Sequence, residues 1–239
     1  MQLICYLSNG YPSIEETVKR CSSYVKAGAD VIEVDLPARD PYMESAMIAE
    51  RMSKALSKTD NYDEYLNAIQ IMKTSYHDKK FLMVVYEDTI NEIGVEKYTS
   101  FCVKNNILDV IVVGSKDKTL KEKLIEQGIC VSCYVQFHMP QSQVEDAIHS
   151  NGFIYLQAKP THDNINPKYN TLKSCIDYLR SMGITRDIYC GVGVHTVEDV
   201  AMVRQAGASG AFVGKAILDN DSNEESLMTV IQEFKKATE

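Results

Sequence analysis

Two hydrophobic patterns alternate along the chain. Short runs of apolar, mostly β-branched residues are typical of buried strands, and longer segments with apolar residues three and four positions apart are typical of amphipathic helices. Val18, Cys21 and Val25, for example, give segment 13–27 one apolar helical face. The first pattern predicts strands at 3–8, 31–35, 81–86, 110–113, 130–135, 153–156, 188–190 and 211–213. The second predicts helices at 13–27, 44–56, 62–76, 95–105, 119–127, 141–149, 169–182, 196–205 and 224–238.

Capping signals support several of these boundaries. Ser13 with Glu16, and Thr196 with Asp199, resemble capping boxes, in which two side chains satisfy the free N–H groups of a helix start. Glycine follows several predicted helices, at the position where a left-handed residue commonly ends a helix. These glycines are Gly28, Gly128, Gly152, Gly183 and Gly207.

The order of the elements predicts the fold. Eight strands, each followed by a helix, within 239 residues match an α/β fold of the (β/α)8 or TIM-barrel type. A doubly wound sheet would usually have fewer strands and a G-x-G-x-x-G motif near its start, which this sequence lacks. No composition break suggests a linker, so residues 1–239 are expected to form a single domain. In such barrels the active site lies at the C-terminal ends of the strands.

Composition and charge narrow the classes of function. Hydrophobic residues make up 45% of the chain and charged residues 24%, which is typical of a folded globular protein. The net charge of −8 argues against nucleic acid as a partner, because phosphate backbones bind clustered basic residues. No apolar run is long enough to span a membrane, and the first residues do not resemble a secretory signal, so no membrane contact is expected.

The cysteines indicate the cellular compartment and do not predict a metal or redox site. Seven cysteines, an odd number without an export signal, indicate reduced thiols and a cytoplasmic location. Cys130 and Cys133 form a C-x-x-C motif, but they fall in a predicted strand, whereas a redox motif should begin a helix. We therefore expect buried strand cysteines there, and neither a metal nor an organic cofactor.

Glu33 in the second strand and Glu44 in the loop after it are the candidate acid–base residues, and Asp35 is a candidate substrate-binding residue. Glu33 and Asp35 alternate with apolar residues, so their side chains point to the same face of the strand. A carboxyl group in an apolar barrel mouth has a raised pKa and can transfer protons near neutral pH. A structural glutamate paired with a buried base is the alternative. Glu44, in the loop that follows, is either a second acid–base group or a first-turn glutamate of a helix.

Glycine-bearing loops follow the last two strands. Gly191 and Gly193 follow strand seven, and Gly214 and Lys215 follow strand eight. Glycine lets backbone N–H groups approach an anion, and a phosphate site at this place recurs in the fold, so a small phosphate ester is the expected ligand. The alternative is that these glycines only make tight turns.

Tyrosines end two further strands. Tyr86 ends strand three and Tyr155 lies in strand six. Each either lines a substrate pocket or is a half-buried aromatic residue with a solvated hydroxyl.

Three stretches together resemble the tryptophan synthase alpha subunit family. Residues 27–41 resemble the family motif A-G-A-D-x-[IL]-E-[LV]-G-[IV]-P-F-S-D-P, and residues 6–12 resemble its first strand and G-[DY]-P turn. Residues 206–217 resemble A-G-A-D-G-x-[IV]-V-G-S-A-[IV], a motif that several phosphate-binding barrels share. The resemblance covers nearly the whole chain.

This resemblance implies a reaction and a set of roles. The family cleaves indole-3-glycerol phosphate to indole and glyceraldehyde 3-phosphate by a retro-aldol reaction in tryptophan biosynthesis. Glu33 matches the mobile catalytic glutamate, and Glu44 stands where the family has its catalytic aspartate. Tyr86 and Tyr155 match tyrosines of the indole pocket. The phosphate loops correspond to Gly191, Gly193, Gly214 and Lys215, and the loop with Asp40 and Pro41 communicates with a beta subunit in the family.

Several positions depart from the family pattern. Asp35 replaces a glycine, Arg39 replaces a serine and Lys215 replaces another serine. Residues 157–164 lack the glycine of the sixth loop, and 114–117 lack the aspartate and proline of the fourth. The chain begins at strand one, so the family's N-terminal plug helix is expected to be missing.

These departures leave two alternatives open. The first is a divergent paralogue acting on another small phosphate ester, because Asp35, Arg39 and Lys215 would make the pocket polar. The second is a catalytically weak binding or regulatory protein.

Overall fold

A computed structural model describes residues 1–114, 118–161 and 165–239. The expectations for the fourth and sixth loops therefore fall partly outside the described residues, at 115–117 and 162–164. In the described part of the chain, nine strands are present. They are β1 (Gln2–Leu7), β2 (Val31–Asp35), β3 (Lys80–Tyr86), β4 (Asp109–Val113), β5 (Cys130–Val131), β6 (Cys133–Val135), β7 (Ile154–Gln157), β8 (Ile188–Gly191) and β9 (Gly210–Val213).

Helices separate most of the strands. Several begin at a capping side chain: the Thr196 hydroxyl accepts the Asp199 N–H, and the Asp199 carboxylate accepts the Thr196 N–H in return. The helices are α1 (Ile14–Ala27), α2 (Ala46–Leu56), α3 (Tyr62–Ser75), α4 (Glu87–Ile93), α5 (Val95–Lys104), α6 (Lys118–Glu126), α7 (Gln141–His149), α8 (Leu172–Ser181), α9 (Val197–Gln205), α10 (Lys215–Leu218) and α11 (Glu224–Ala237).

The predicted strands and helices are all present, with four differences beyond one-residue shifts at their ends, the first being that the helix predicted from Tyr169 begins at Leu172. The strand predicted at 130–135 is interrupted at Ser132 and forms β5 and β6. Helices α4 and α10 were not predicted, because seven and four residues are too few to show a helical hydrophobic repeat. The helix predicted from Glu44 begins at Ala46, with Ser45 as its N-cap.

The chain forms two compact units. The first contains Met1–Cys5, Ala27–Asp30 and Ser132–Glu239, and the second contains Tyr6–Lys26 and Val31–Val131. Strand order is β1-β9-β8-β7-β6 in the first unit and β1-β2-β3-β4-β5 in the second, with residues of β1 in both. Parallel strands that alternate with helices confirm the predicted (β/α)8-barrel fold class. That residues 1–239 form one domain stays a prediction.

Aromatic side chains from neighbouring strands pack together in the first unit. The Phe153 ring lies 4.9 Å from that of Tyr189, and the Tyr155 ring stacks on Phe212 at 4.4 Å. In the same unit, Lys235 of α11 forms an ion pair of 2.8 Å with Asp30, which also accepts the Leu3 N–H. These contacts join the last helix to the start of the sheet.

The register of the second unit places the candidate acids. Strand β2 pairs in parallel with β3, so that Glu33 lies opposite Leu82 and Asp35 opposite Val84. All five residues of β2 are buried. Both carboxyl groups therefore project from a strand that the apolar core surrounds.

A tight turn follows β1. Gly10 has a φ of +81°, in the left-handed region, and a Cβ there would lie 2.5 Å from Cε1 of Tyr65 on α3. The turn therefore needs glycine both for its backbone conformation and for its packing.

The substitution Gly10→Ala is expected to lower the free energy of unfolding by about 2–4 kcal/mol, because backbone strain adds to overpacking against Tyr65. Gly183→Ala is the matched control, since Gly183 has a φ of +85° and nothing within 4 Å of its Cβ position. It should lose only about 1 kcal/mol. Urea unfolding of both variants measures the difference, and equal losses would contradict a decisive contact with Tyr65.

Candidate active site

Asp35 is a buried carboxylate with two short hydrogen bonds. It is 1% exposed. The Tyr6 hydroxyl donates to Oδ2 at 2.6 Å, and the Asn9 backbone N–H donates to Oδ1 at 2.6 Å. Burial raises the pKa of Asp35 to about 6, and the two hydrogen bonds and the positive charge of Arg51 oppose that rise. Asp35 therefore keeps a negative charge at neutral pH.

Glu33 is the most strongly perturbed of the strand carboxyls. It is 7% exposed, and no hydrogen bond or ion pair from the described residues reaches its carboxyl group. Burial raises its pKa to about 8, and the negative charges of Glu44 and Asp35 raise it further in the same direction. The protonated form is thus the main form at neutral pH, which leaves a proton donor inside an apolar strand.

Glu44 lies in the loop between β2 and α2. Its N–H donates to the Pro41 carbonyl at 3.0 Å, and its side chain is half-buried. Burial raises the pKa of Glu44 to about 7, with a smaller contribution from the charge of Asp35. Since α2 begins two residues later, the interpretation of Glu44 as a first-turn helix residue is wrong. It shares an electrostatic environment with Glu33 instead.

Tyr86 supports the loop that carries Glu44. The tyrosine is buried, and its hydroxyl accepts the Met43 N–H at 3.0 Å. The Tyr42 ring packs edge-on against it at 5.4 Å. Burial and the charge of Glu44 raise the pKa of Tyr86. Tyr86 therefore fixes the position next to Glu44, which the sequence did not indicate.

Other residues of this loop face outward. Asp40 is exposed and Pro41 is half-buried. The Arg39 guanidinium forms a bidentate pair with Glu92 of α4, at 2.6 Å for its shortest contact. Its charge is therefore neutralised at the surface.

Tyr155 and Gly191 fit together in the first unit. A Cβ on Gly191 would lie 2.5 Å from the Tyr155 hydroxyl oxygen, so glycine is required beside the ring. Tyr155 stacks on Phe212 and packs edge-on against Tyr134 at 5.6 Å. It is half-buried, as either interpretation of the sequence allowed.

The loop after β8 has unusual backbone geometry. Gly193 has a φ of +99° and Val192 a φ of +56°, which is rare for a β-branched residue. The stem of Lys159 packs against Gly193, with its Cβ 2.9 Å from the place of a Cβ on that glycine. Strain of this kind concentrates at functional sites.

Asp199 occupies the far end of the same loop. Its Oδ2 accepts the N–H groups of His195 at 2.8 Å and Thr196 at 3.1 Å. The Lys159 ammonium forms an ion pair with the other oxygen. The sequence showed Asp199 as a capping residue, but it gave no signal for Lys159, because the two lie 40 positions apart.

Lys215 is placed differently from the expectation. Its side chain is 62% exposed and pairs with Asp219, one turn along α10, at 2.6 Å. Gly214 directly precedes this short helix. The phosphate-binding roles of Gly191, Gly193, Gly214 and Lys215 remain predictions.

A metal site is not found among the residues that the structure describes. Within residues 1–114, 118–161 and 165–239, no group of three His, Cys, Asp or Glu side chains could hold an ion. All seven cysteines are free thiols. Cys130 and Cys133 are half-buried rather than buried as expected, because the strand is interrupted between them.

None of the helices that the structure describes has the length and apolar character needed to cross a bilayer. The cytoplasmic location stays a prediction.

The fold and the carboxyl groups define the class of this protein. A (β/α)8 barrel with buried carboxyls of near-neutral pKa after its second strand is a barrel enzyme suited to acid–base catalysis. The family model described as the tryptophan synthase alpha chain matches residues 1–239. The chain therefore belongs to the tryptophan synthase alpha chain family, whose members are lyases.

Curated relatives agree with the family assignment. The tryptophan synthase alpha chain of Staphylococcus carnosus is 23% identical over 217 residues, covering 88% of this chain and 86% of the relative. That of Flavobacterium psychrophilum is 26% identical over 233 residues, covering 91% of this chain and 88% of the relative.

Solved structures agree with the fold. A crystal structure of tryptophan synthase from M. tuberculosis matches with a TM-score of 0.83 at 20% identity, covering 100% of this chain and 93% of the other. The tryptophan synthase subunit alpha from Campylobacter jejuni has a TM-score of 0.83 at 23% identity, covering 98% and 95%.

The raised pKa of Glu33 predicts that stability depends on pH. Glu33 titrates near its ordinary 4.5 when unfolded and near 8 when folded. Its contribution is therefore fully present below about pH 4.5 and is lost as the pH rises through about 8. Glu33→Gln should match the parent protein at about pH 5 and be more stable by about 2–4 kcal/mol at about pH 9, measured by urea unfolding.

Glu50→Gln is the control for this measurement. The neighbouring Lys54 lowers the pKa of Glu50, which is exposed, so its removal should give no gain at high pH. A Glu33→Gln gain that is the same at both pH values would contradict a buried, protonated Glu33.

Proposed function

We propose that this chain cleaves indole-3-glycerol phosphate to indole and glyceraldehyde 3-phosphate, as a step of tryptophan biosynthesis. Membership of the tryptophan synthase alpha chain family supports this reaction. The observation that carries the proposal for this chain is the pair Glu33 and Glu44, whose pKa values are raised to about 8 and about 7. At neutral pH Glu33 is then mostly protonated and Glu44 is about half ionised, which separates their roles.

Glu33 carries both proton transfers of the reaction, and Glu44 stabilises the charge between them. Protonated Glu33 donates its proton to carbon 3 of the indole ring. The ionised Glu44 accepts a hydrogen bond from the ring N–H and stabilises the positive charge that develops on the nitrogen. The bond between carbon 3 and the glycerol carbon then breaks, and its electrons return to the ring. Glu33, now a carboxylate, takes the proton of the glycerol hydroxyl as the aldehyde forms.

The remaining predicted residues have binding roles in this proposal. Tyr86 holds the loop of Glu44 in place. The proposal that Tyr155 contacts the indole ring rests on the family resemblance. The phosphate is proposed to bind the backbone N–H groups near Gly193 and Gly214, where the strained backbone at Val192 is consistent with a ligand loop.

The contacts of three charged residues favour this substrate over a more polar phosphate ester. Asp35 accepts two hydrogen bonds, Arg39 pairs with Glu92, and Lys215 pairs with Asp219. Arg39 and Lys215 are paired with acidic residues of the chain, and both oxygens of Asp35 already accept hydrogen bonds, so none of the three needs a substrate group as a partner. The argument that they would make the pocket polar is therefore weakened.

Purified protein should release both products from indole-3-glycerol phosphate, and Glu33→Gln should lower kcat by about a hundred- to ten-thousandfold. Glu44→Gln should have a loss in the same range, because a neutral amide cannot stabilise the ring cation. Rates are followed by indole release. A Glu50→Gln variant, altered at the surface, should keep the parent rate.

The pH profile adds a second check on these roles. Activity should fall below about pH 7, where Glu44 is protonated, and above about pH 8, where Glu33 is ionised. Absence of indole release by the parent protein would contradict the proposed lyase activity. Full turnover by Glu33→Gln would contradict only the catalytic role of Glu33. A binding protein would bind the substrate without turnover.

We further propose that a tryptophan synthase beta subunit is the partner and that it contacts the loop with Asp40 and Pro41. The exposure of Asp40 and the buried anchor of the same loop at Tyr86 support this surface. A loop held at one end and exposed at the other can transmit contact to Glu44.

Addition of a beta subunit should raise indole release at least about fivefold, the lower end of typical coupling between sites. Asp40→Ala should reduce that increase, whereas Asp60→Ala, an exposed aspartate outside the loop, should not. Sedimentation of the mixture measures binding independently. A complex that forms equally well with Asp40→Ala, with the full rate increase, would contradict the proposed surface.

A further inference from the structure

Asp35 combines features that a merely structural aspartate does not need. It lies two residues after Glu33 on the same strand, and it is almost fully buried. Both of its oxygens accept a hydrogen bond at 2.6 Å, and for the Tyr6 hydroxyl this length is typical of a bond to an ionised acceptor. The structure thus stabilises a negative charge next to the candidate proton donor.

The two donors belong to one segment. Tyr6 lies in β1 and Asn9 follows its end, so Asp35 connects β2 to the segment 6–9. Ser8 Oγ and Asn9 Oδ1 are buried in this segment and have no hydrogen-bond partner among the described residues. Unpartnered buried groups cost free energy, and the bonds to Asp35 help to offset that cost, together with bonds between segment 6–9 and Tyr65, Thr17 and Tyr24.

We propose that Asp35 is a positioning residue for Glu33: its hydrogen bonds fasten segment 6–9 to β2, and its buried carboxylate places a negative charge two residues from Glu33 on the same face of the strand. The role assigned to Glu33 rests on the proposed function. Asp35 itself touches neither substrate nor reacting atoms in this proposal.

The spacing on the strand gives the physical basis. Side chains two residues apart on a strand point to the same face, with Cα atoms about 6.6 Å apart. Because both carboxyl groups lie on one face in buried surroundings, two negative charges there would repel each other, so ionisation of Glu33 is disfavoured while Asp35 stays ionised. Replacing Asp35 by a neutral residue removes this repulsion but leaves the burial of Glu33.

The other groups that act on these carboxyls come from several elements. Glu44 adds a negative charge near Glu33, and Arg51 of α2 adds a positive charge near Asp35. Tyrosine hydroxyls face the same group of acids from three elements: Tyr6 of β1 and Tyr65 of α3 interact with Asp35, and Tyr86 of β3 interacts with Glu44. An Asp35 variant retains Glu44 and Arg51, so the shift at Glu33 reports the loss of the Asp35 charge, both directly and through the pKa of Glu44.

The test is a direct titration of Glu33 without substrate. Carbon-13 NMR of protein labelled at its aspartate and glutamate side-chain carboxyls follows each group with pH, and the Glu33→Gln spectrum assigns the Glu33 signal. In Asp35→Asn the titration midpoint of Glu33 should fall by about one pH unit. An unchanged midpoint overturns the proposal.

Asp30→Asn is the matched control. Asp30 is the carboxylate before the same strand, and it accepts a backbone N–H and an ion pair from Lys235. Its removal should lower stability and leave the Glu33 midpoint unchanged. An equal shift in both variants would mean that general loosening, not the charge of Asp35, moves Glu33, and it would overturn the proposal.

Tyr6→Phe is a second variant that tests the charge of Asp35 if Asp35→Asn does not fold. It removes one of the two hydrogen bonds and retains the carboxylate, so the Asp35 midpoint should rise. An Asp35 midpoint that does not move would show that the bond does not hold the charge, which would also overturn the proposal.

Turnover gives a separate readout. In Asp35→Asn the alkaline limb of kcat/KM for indole-3-glycerol phosphate should move to lower pH, whereas structural damage would lower the rate equally at all pH values. If the parent protein shows no turnover, the proposed function fails, and the titration of Glu33 still decides the role of Asp35.

Discussion

The cost of burying carboxyl groups governs this structure. Glu33 and Asp35 project from a strand whose five residues are all buried, and the apolar surroundings penalise a charge on either group. The chain resolves the two cases differently. Asp35 receives two short hydrogen bonds and stays ionised, while Glu33 receives none from the described residues and stays protonated. One strand thus holds a fixed charge and a transferable proton two positions apart.

The neighbouring elements serve this arrangement. The chain turns at Gly10, directly after the stretch in which Tyr6 and Asn9 donate hydrogen bonds to Asp35. Tyr86, at the end of the adjacent strand β3, holds the following loop through the Met43 N–H, next to Glu44. The parallel pairing of β2 with β3 therefore places the proton donor and the support for its partner carboxyl on adjacent strands.

The sequence predicts the fold and the chemistry of single residues better than their contacts. Hydrophobic periodicity is a local property, so it located the strands, but it could not show the short helices α4 and α10. The apolar neighbours of Glu33 in the sequence predicted a raised pKa for its carboxyl group, and the structure agrees with this prediction. That Asp35 is held by Tyr6 and Asn9, and Lys159 by Asp199, depends on contacts between residues 26–40 positions apart, which no local pattern contains.

The loop after β8 already contains an anion of its own. The Asp199 carboxylate occupies the N–H groups of His195 and Thr196 in the way a bound phosphate oxygen would. Those donors are closed to any ligand while this internal carboxylate stays, so a phosphate has to use other N–H groups of the loop. Lys159 neutralises the internal carboxylate, and the loop therefore does not repel a second anion that arrives beside it.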